Sequence, residues 1–145
     1  MMELTLRSSL TLKEGEHFRV EILAGYVRKF PKTDFHKANL EKLVMWQNYL
    51  AGHIKGVIKA EYHGDHLTMP VPPGRQADEY PENVYYDRIR PQVERMTKEA
   101  KRYGFNFQDI LAPDNIYYDD ENDQVYAVDY SSLEMRADNP GFAQS

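Results

Sequence analysis

Over the first thirty residues the apolar side chains come in short, β-rich pieces: Leu4-Thr5-Leu6, Leu10-Thr11-Leu12, Phe18 to Leu23 and Tyr26 to Phe30. Ser8-Ser9, Glu14-Gly15-Glu16 and Ala24-Gly25 interrupt them, which is the pattern of an antiparallel meander. Pro31-Lys32-Thr33-Asp34 then ends the strand pattern. Leu40, Leu43, Val44, Gln47 and Leu50 follow close to helical spacing with Gly52 as a stop, so one amphipathic helix is predicted over residues 35–51. Two extended segments come next, Ile54 to Tyr62 and His66 to Val71, joined by His63-Gly64-Asp65, which has the chemistry of a hairpin turn.

Pro72-Pro73-Gly74 divides the chain into a β-rich region, residues 1–71, and a second region, residues 75–145. Two prolines cannot donate to a sheet ladder, and the glycine allows a sharp change of direction. Beyond this hinge Ile89, Val93, Met96, Ala100 and Tyr103 repeat at helical spacing, with Arg90, Glu94, Arg95, Lys98, Glu99 and Lys101 on the other face. A helix over 87–103, stopped by Gly104, is expected. Residues 107–132 then read as a β-hairpin around the acidic turn Asp119 to Asp123, and Arg136 to Ser145 as a tail or a loosely packed turn. The sum is an α+β chain without internal repeats.

Composition narrows the chemistry. With no cysteine there is no disulfide, no thiolate zinc site and no cysteine nucleophile, so any chemistry rests on carboxylates, amides, hydroxyls and amines. That usage fits a cytoplasmic setting. A net charge of -5 argues against a nucleic-acid partner, which needs clustered Lys and Arg. No apolar run is long enough to span a bilayer, and no signal peptide is read at Met1 to Leu12, so no membrane partner is expected. The 11 tyrosines are read first as half-buried packing residues. Asp119-Asp120-Glu121-Asn122-Asp123 lacks the glycine and terminal glutamate of a calcium loop and is read as a solvated turn. His63 and His66 are read as surface residues.

Asp109, Asn115 and Asp129 space two carboxylates and an amide around the predicted hairpin. The stretch Phe107 to Tyr118, followed by Val125-Tyr126-Ala127-Val128-Asp129, resembles the catalytic and metal-binding loops of the protein-kinase-like superfamily. The order of elements over residues 18–132 resembles that superfamily too. The resemblance implies a reduced kinase-like fold: an antiparallel small lobe with one helix, a hinge at 72–74, and a truncated large lobe of a helix and a hairpin, with a cleft between the lobes. ATP and Mg²⁺ are the implied ligands. Lys29 would contact the phosphates, with Arg28 the alternative if the strand register slips by one, and Glu41 would pair with that cation. Backbone groups of Met69 and Val71 would receive the adenine. Asp109 would align an acceptor hydroxyl, while Asn115 and Asp129 would hold Mg²⁺, with Asp114 the alternative to Asn115.

The chain departs from the superfamily's pattern in ways that carry their own expectations. Phe107-Gln108 stands where the pattern has His-Arg, so control by activation-segment phosphorylation is not expected. Five residues, not four, separate Asp109 from Asn115, and Tyr130-Ser131 replaces Phe-Gly after Asp129, which reduces the expectation of conformational switching. Leu12 to Phe18 offers one glycine and two carboxylates where a glycine-rich loop would cover phosphates. Only 16 residues follow Asp129, so neither an activation segment nor a peptide-docking groove is expected.

Two readings from different classes follow. One is a minimal ATP- and Mg²⁺-binding kinase-like protein, of the compact type seen among bacterial, phage or effector proteins, that transfers phosphoryl to a hydroxyl. The other is a catalytically inactive pseudokinase-type module that binds or inhibits a protein partner. A third possibility is an unrelated α+β protein, in which Asp109 and Asp129 would lie far apart.

Overall fold

Ala24-Gly25 makes a two-residue turn because Gly25 takes a φ of +88°, in the left-handed region. Around it β2 (Phe18–Leu23) and β3 (Tyr26–Pro31) pair antiparallel, from Leu23 opposite Tyr26 to Phe18 opposite Pro31. The computed structural model describes residues 11–14, 17–107, 110–131 and 133–135. The expected strand Leu4 to Leu6, the turn glycine at position 15, and the tail from Arg136 lie outside the described residues. The chain divides into two units: residues up to Asn48 with Lys59–Val71, and Tyr49–Ile58 with the residues from Pro72 onward.

In the first unit β1 (Thr11–Glu14), β2, β3, β4 (Glu61–Tyr62) and β5 (Leu67–Pro70) form one antiparallel sheet in the order β1-β2-β3-β5-β4. The helix predicted over 35–51 is two helices, α1 (Asp34–Ala38) and α2 (Leu40–Ala51). Thr33 starts α1 by accepting from the His36 backbone N–H at 3.0 Å. Asn39 interrupts it: its N–H and its side-chain Nδ2 both donate to the Phe35 carbonyl, at 3.0 and 2.7 Å. An amide side chain competing for local backbone acceptors is what makes Asn a poor helix-interior residue. Leu40, Leu43, Val44 and Gln47 then form the buried face of α2. Asn48 clamps the approach to β4, donating to the Ala60 carbonyl at 2.9 Å and accepting from its N–H at 2.8 Å.

The extended segment read over Ile54 to Tyr62 pairs only at Glu61–Tyr62. Its apolar part belongs to the second unit and is buried without a ladder of its own. Gly56, at φ +99°, accepts from the Ala127 N–H at 3.0 Å, and a Cβ there would sit 2.4 Å from the Val125 carbonyl oxygen. Ile58 N–H donates to the Tyr130 hydroxyl at 3.0 Å, and that hydroxyl donates to the Ala127 carbonyl at 2.7 Å. A short apolar run buried as irregular chain reads in sequence like a strand, because periodicity does not separate the two.

The rest of the second unit is built around β8 (Ile116–Asp119) and β9 (Gln124–Ala127), an antiparallel hairpin joined on its other edge by β6 (Arg75–Gln76). Gly74 leads into β6 at φ +99°, so close to β8 that a Cβ would lie 2.1 Å from the Tyr118 carbonyl oxygen. The predicted helix begins earlier than expected and is not uniform. A short α3 (Glu82–Val84) passes through a π turn at Tyr85–Ile89 into α4 (Arg90–Arg102). Pro91 has no N–H to continue the i→i−4 ladder, and Arg90 N–H reaches back to the Tyr85 carbonyl instead. Gln92, buried on α4, accepts from the Val125 N–H at 2.9 Å and donates to the Asp123 carbonyl at 3.0 Å, tying helix to hairpin. Gly104 closes α4 at φ +90°, and β7 (Phe105–Asn106) pairs with β10 (Glu134–Met135). Among the described residues no helix is long and apolar enough to cross a membrane.

Two outcomes test this packing. Gly74→Ala should cost about 3 kcal/mol or more in urea unfolding, since backbone must move, whereas Gly25→Ala, with open space around it, should cost about 1–2 kcal/mol for its left-handed φ alone. Burial pushes the Tyr130 hydroxyl's pKa well up, so the folded chain holds a proton that the unfolded chain releases above about pH 10. The associated stability is full below that pH and falls by about 1.4 kcal/mol per pH unit above it. Chemical unfolding from pH 9 to 11 should show that slope in the native chain, reduced by about one proton in Tyr130→Phe.

Candidate functional site

The hairpin β8–β9 determines what stands at its open end. Pro113–Asn115 forms a single 3₁₀ turn, with Asn115 N–H donating to the Ala112 carbonyl at 2.8 Å, and the chain enters β8 at the next residue. Ile116 faces Ala127, so one step further out Val128 N–H donates to the Asn115 carbonyl at 3.2 Å. This bond extends the ladder by one rung and sets Asn115 beside the residue preceding Asp129. The Asp129 carboxylate is held locally, its Oδ1 accepting from the Ser131 N–H at 3.0 Å. Both Asn115 and Asp129 are half-buried. Asp114, the alternative to Asn115, is exposed, and its carbonyl accepts from Gln76 Nε2 at 3.0 Å.

A carboxylate and an amide oxygen, as Asp129 and Asn115 carry, are hard oxygen donors of the kind suited to Mg²⁺. Among the described residues no group of three or more His, Cys, Asp or Glu could hold a metal ion. A donor set of this kind fits a metal brought in with phosphate oxygens, as Mg²⁺ is commonly bound, and not a cage supplied by protein alone. Asp109 lies outside the described residues; its described neighbours Phe107, Ile110 and Leu111 are all buried.

The remaining sequence-predicted residues belong to the first unit. Arg28 and Lys29 point to opposite faces of β3, as successive strand residues must. Arg28 pairs across the sheet with Glu21 and makes an ion pair with it at 2.8 Å, while Lys29, opposite Val20 and Leu67, is buried. Glu41 stands in the first turn of α2 on its exposed side, where a carboxylate complements the helix dipole. Met69 is buried opposite Val27, its sulfur accepting from Gln47 Nε2 at 3.9 Å. Val71 N–H donates to the Gly25 carbonyl at 3.2 Å. His63 and His66 stack on each other, His66 also on Phe30, at the exposed β4–β5 turn. The short contact from His66 holds the Asp65 carboxyl below its ordinary value.

Three residues that order the second unit carry no motif. Gln92, Tyr118 and Tyr130 are all buried, with Tyr118 donating to Asp123 Oδ1 at 2.6 Å. Gln92 leaves a trace in sequence as an amide at helical spacing between Ile89 and Met96 on an otherwise apolar face, and Tyr130 as the residue standing where the resembled pattern has Phe.

No family model matches the sequence, and no curated protein matches it. Among solved structures it is similar to the autoinhibited serine kinase domain of the giant muscle protein titin, with a TM-score of 0.58 at 15% sequence identity. The match covers 90% of this chain and 47% of that one, so this chain spans about half the length of the kinase domain it resembles. At that identity the likeness is one of fold: a mixed chain of antiparallel sheets and few helices, with a protein-kinase-like fold.

Proposed function

We propose that this chain binds ATP as its Mg²⁺ complex, with Asn115 and Asp129 as the protein's ligands to the metal. The single observation behind this reading is the rung from Val128 N–H to the Asn115 carbonyl, which sets the Asn115 backbone beside the residue preceding Asp129 at the end of a hairpin in a chain of kinase-like fold. Mg²⁺ bound there would supply positive charge against the charge that develops on a transferring phosphoryl group. The chain's own part is positioning: Asn115 and Asp129 fix where the metal stands, and Asp109 would align the acceptor hydroxyl. Asn115 is preferred over Asp114 because its carbonyl, and not that of Asp114, bonds to Val128.

A second reading, a catalytically inactive module that engages a protein partner, draws on two features. Val71 N–H, one of the donors that the adenine would use, is already spent on Gly25. Glu14 and Glu16 occupy the stretch where a phosphate-covering loop would be glycine-rich.

Thermal unfolding separates the readings. With ATP and Mg²⁺ at about a hundred times the dissociation constant, binding to the folded state adds about 2.7 kcal/mol and raises Tm by several degrees. ATP with EDTA should give a much smaller rise, and Asp129→Asn, which removes the charge and keeps the shape, should abolish the Mg²⁺-dependent part. Transfer of the γ-phosphoryl to water or an added hydroxyl, where present, should fall about 100-fold or more in the same variant. No rise at millimolar nucleotide would leave the protein-binding module as the surviving reading.

A further inference from the structure

We propose that the Tyr130 hydroxyl is a lock on the backbone that carries Asp129, making Tyr130 the positioning residue of the metal ligand. The inference rests on the nucleotide-binding reading for its consequence, and on this chain's own bonds for its geometry. Tyr130 is buried at 4% exposure, where a phenol oxygen without partners would be strongly unfavourable. Its hydroxyl is used in both directions, accepting from Ile58 N–H at 3.0 Å and donating to the Ala127 carbonyl at 2.7 Å. Both partners are main-chain groups, one at the end of β9 and one in the buried segment laid against it. A phenylalanine would fill nearly the same space and make neither bond.

The effect falls on the residue next door. Asp129 sits between Val128, fixed by its N–H to the Asn115 carbonyl, and Tyr130, fixed through its side chain. Its carboxylate is drawn in by the Ser131 N–H. Turning the Asp129 backbone to another conformation would therefore break the Tyr130 bonds, and the two groups left behind, Ile58 N–H and the Ala127 carbonyl, belong to buried residues. The tyrosine after Asp129 thus does what the sequence expectation placed on the missing glycine: it restricts switching, and it does so through a hydroxyl. A ligand held this way needs no reorganisation when the metal arrives, which is how supporting hydrogen bonds raise metal affinity.

The test compares the native chain, Tyr130→Phe, and Tyr118→Phe, which removes a buried hydroxyl bond at the other end of the same hairpin. The first readout is ligand-free amide hydrogen exchange. Tyr130→Phe should speed exchange about tenfold at Ile58 and across Asp129 to Ser131, and Tyr118→Phe should leave those amides unchanged. The second readout is the Mg²⁺ midpoint for the thermal shift at fixed ATP, which should rise about tenfold in Tyr130→Phe and stay put in Tyr118→Phe even though both lose stability. Unchanged exchange at Asp129 to Ser131 in Tyr130→Phe overturns the lock. Faster exchange with an unchanged Mg²⁺ midpoint overturns the positioning role. A native chain that shows no response to Mg²⁺ and ATP overturns the nucleotide reading, and the exchange readout still decides the lock on its own.

Discussion

Val128 N–H donates to the Asn115 carbonyl one step beyond the last paired residues of the β8–β9 hairpin, Ile116 and Ala127. Without that rung the 3₁₀ turn at Pro113–Asn115 and the chain leaving β9 would be free to diverge, and an amide fourteen residues from a carboxylate would have no reason to share a site. With it, the cross-strand register of a four-residue strand pair sets the Asn115 backbone beside the residue preceding Asp129. The candidate chemistry of the second unit is thus a consequence of sheet geometry, in which register is fixed by pairing and not by the side chains that use it.

The hairpin itself is held from several sides by side chains bonding to main chain. Tyr80 donates to the Tyr118 carbonyl, Gln92 engages Val125 and Asp123, and Tyr130 joins Ala127 to Ile58. Two close backbone approaches, at Gly56 and Gly74, put further chain against the same strands. Each strand is short, and a two-stranded hairpin alone is marginal in water, so these external anchors are what the register depends on. Buried polar side chains carry the specificity here, because each of their bonds fixes one segment against another and leaving any unmade is costly.

Much of this order was legible in the sequence, and the failures have physical causes. The Phe18 to Phe30 hairpin, the amphipathic helix ending at Gly104 and the acidic hairpin turn declare themselves through alternation, helical spacing and turn residues. The first helix reads as continuous because its apolar positions are continuous; the break at Asn39 comes from one side chain bonding to the Phe35 carbonyl. Ile54 to Tyr62 reads as extended because it is short and apolar, yet the backbone bonds of its first part run to Leu50, within the segment itself, to the Tyr130 hydroxyl and to Ala127. Arg28 and Lys29 are ambiguous in sequence because adjacent strand residues exchange faces with a one-residue slip; in the structure Lys29 is buried and Arg28 pairs with Glu21. Tyr130 shows in sequence only as a departure from Phe, since a hydroxyl's partners come from distant segments that no local pattern announces.

Paramagnetic mapping addresses the central claim, that Asn115 and Asp129 hold the metal of a bound nucleotide. Mn²⁺ added with ATP to isotope-labelled protein broadens the amide signals nearest the ion. Broadening centred on Asn115, Ile116 and Val128 to Ser131, dependent on ATP and relieved by excess Mg²⁺, is the predicted result. Broadening confined to the acidic turn Asp119 to Asp123, or indifferent to nucleotide, would contradict the account.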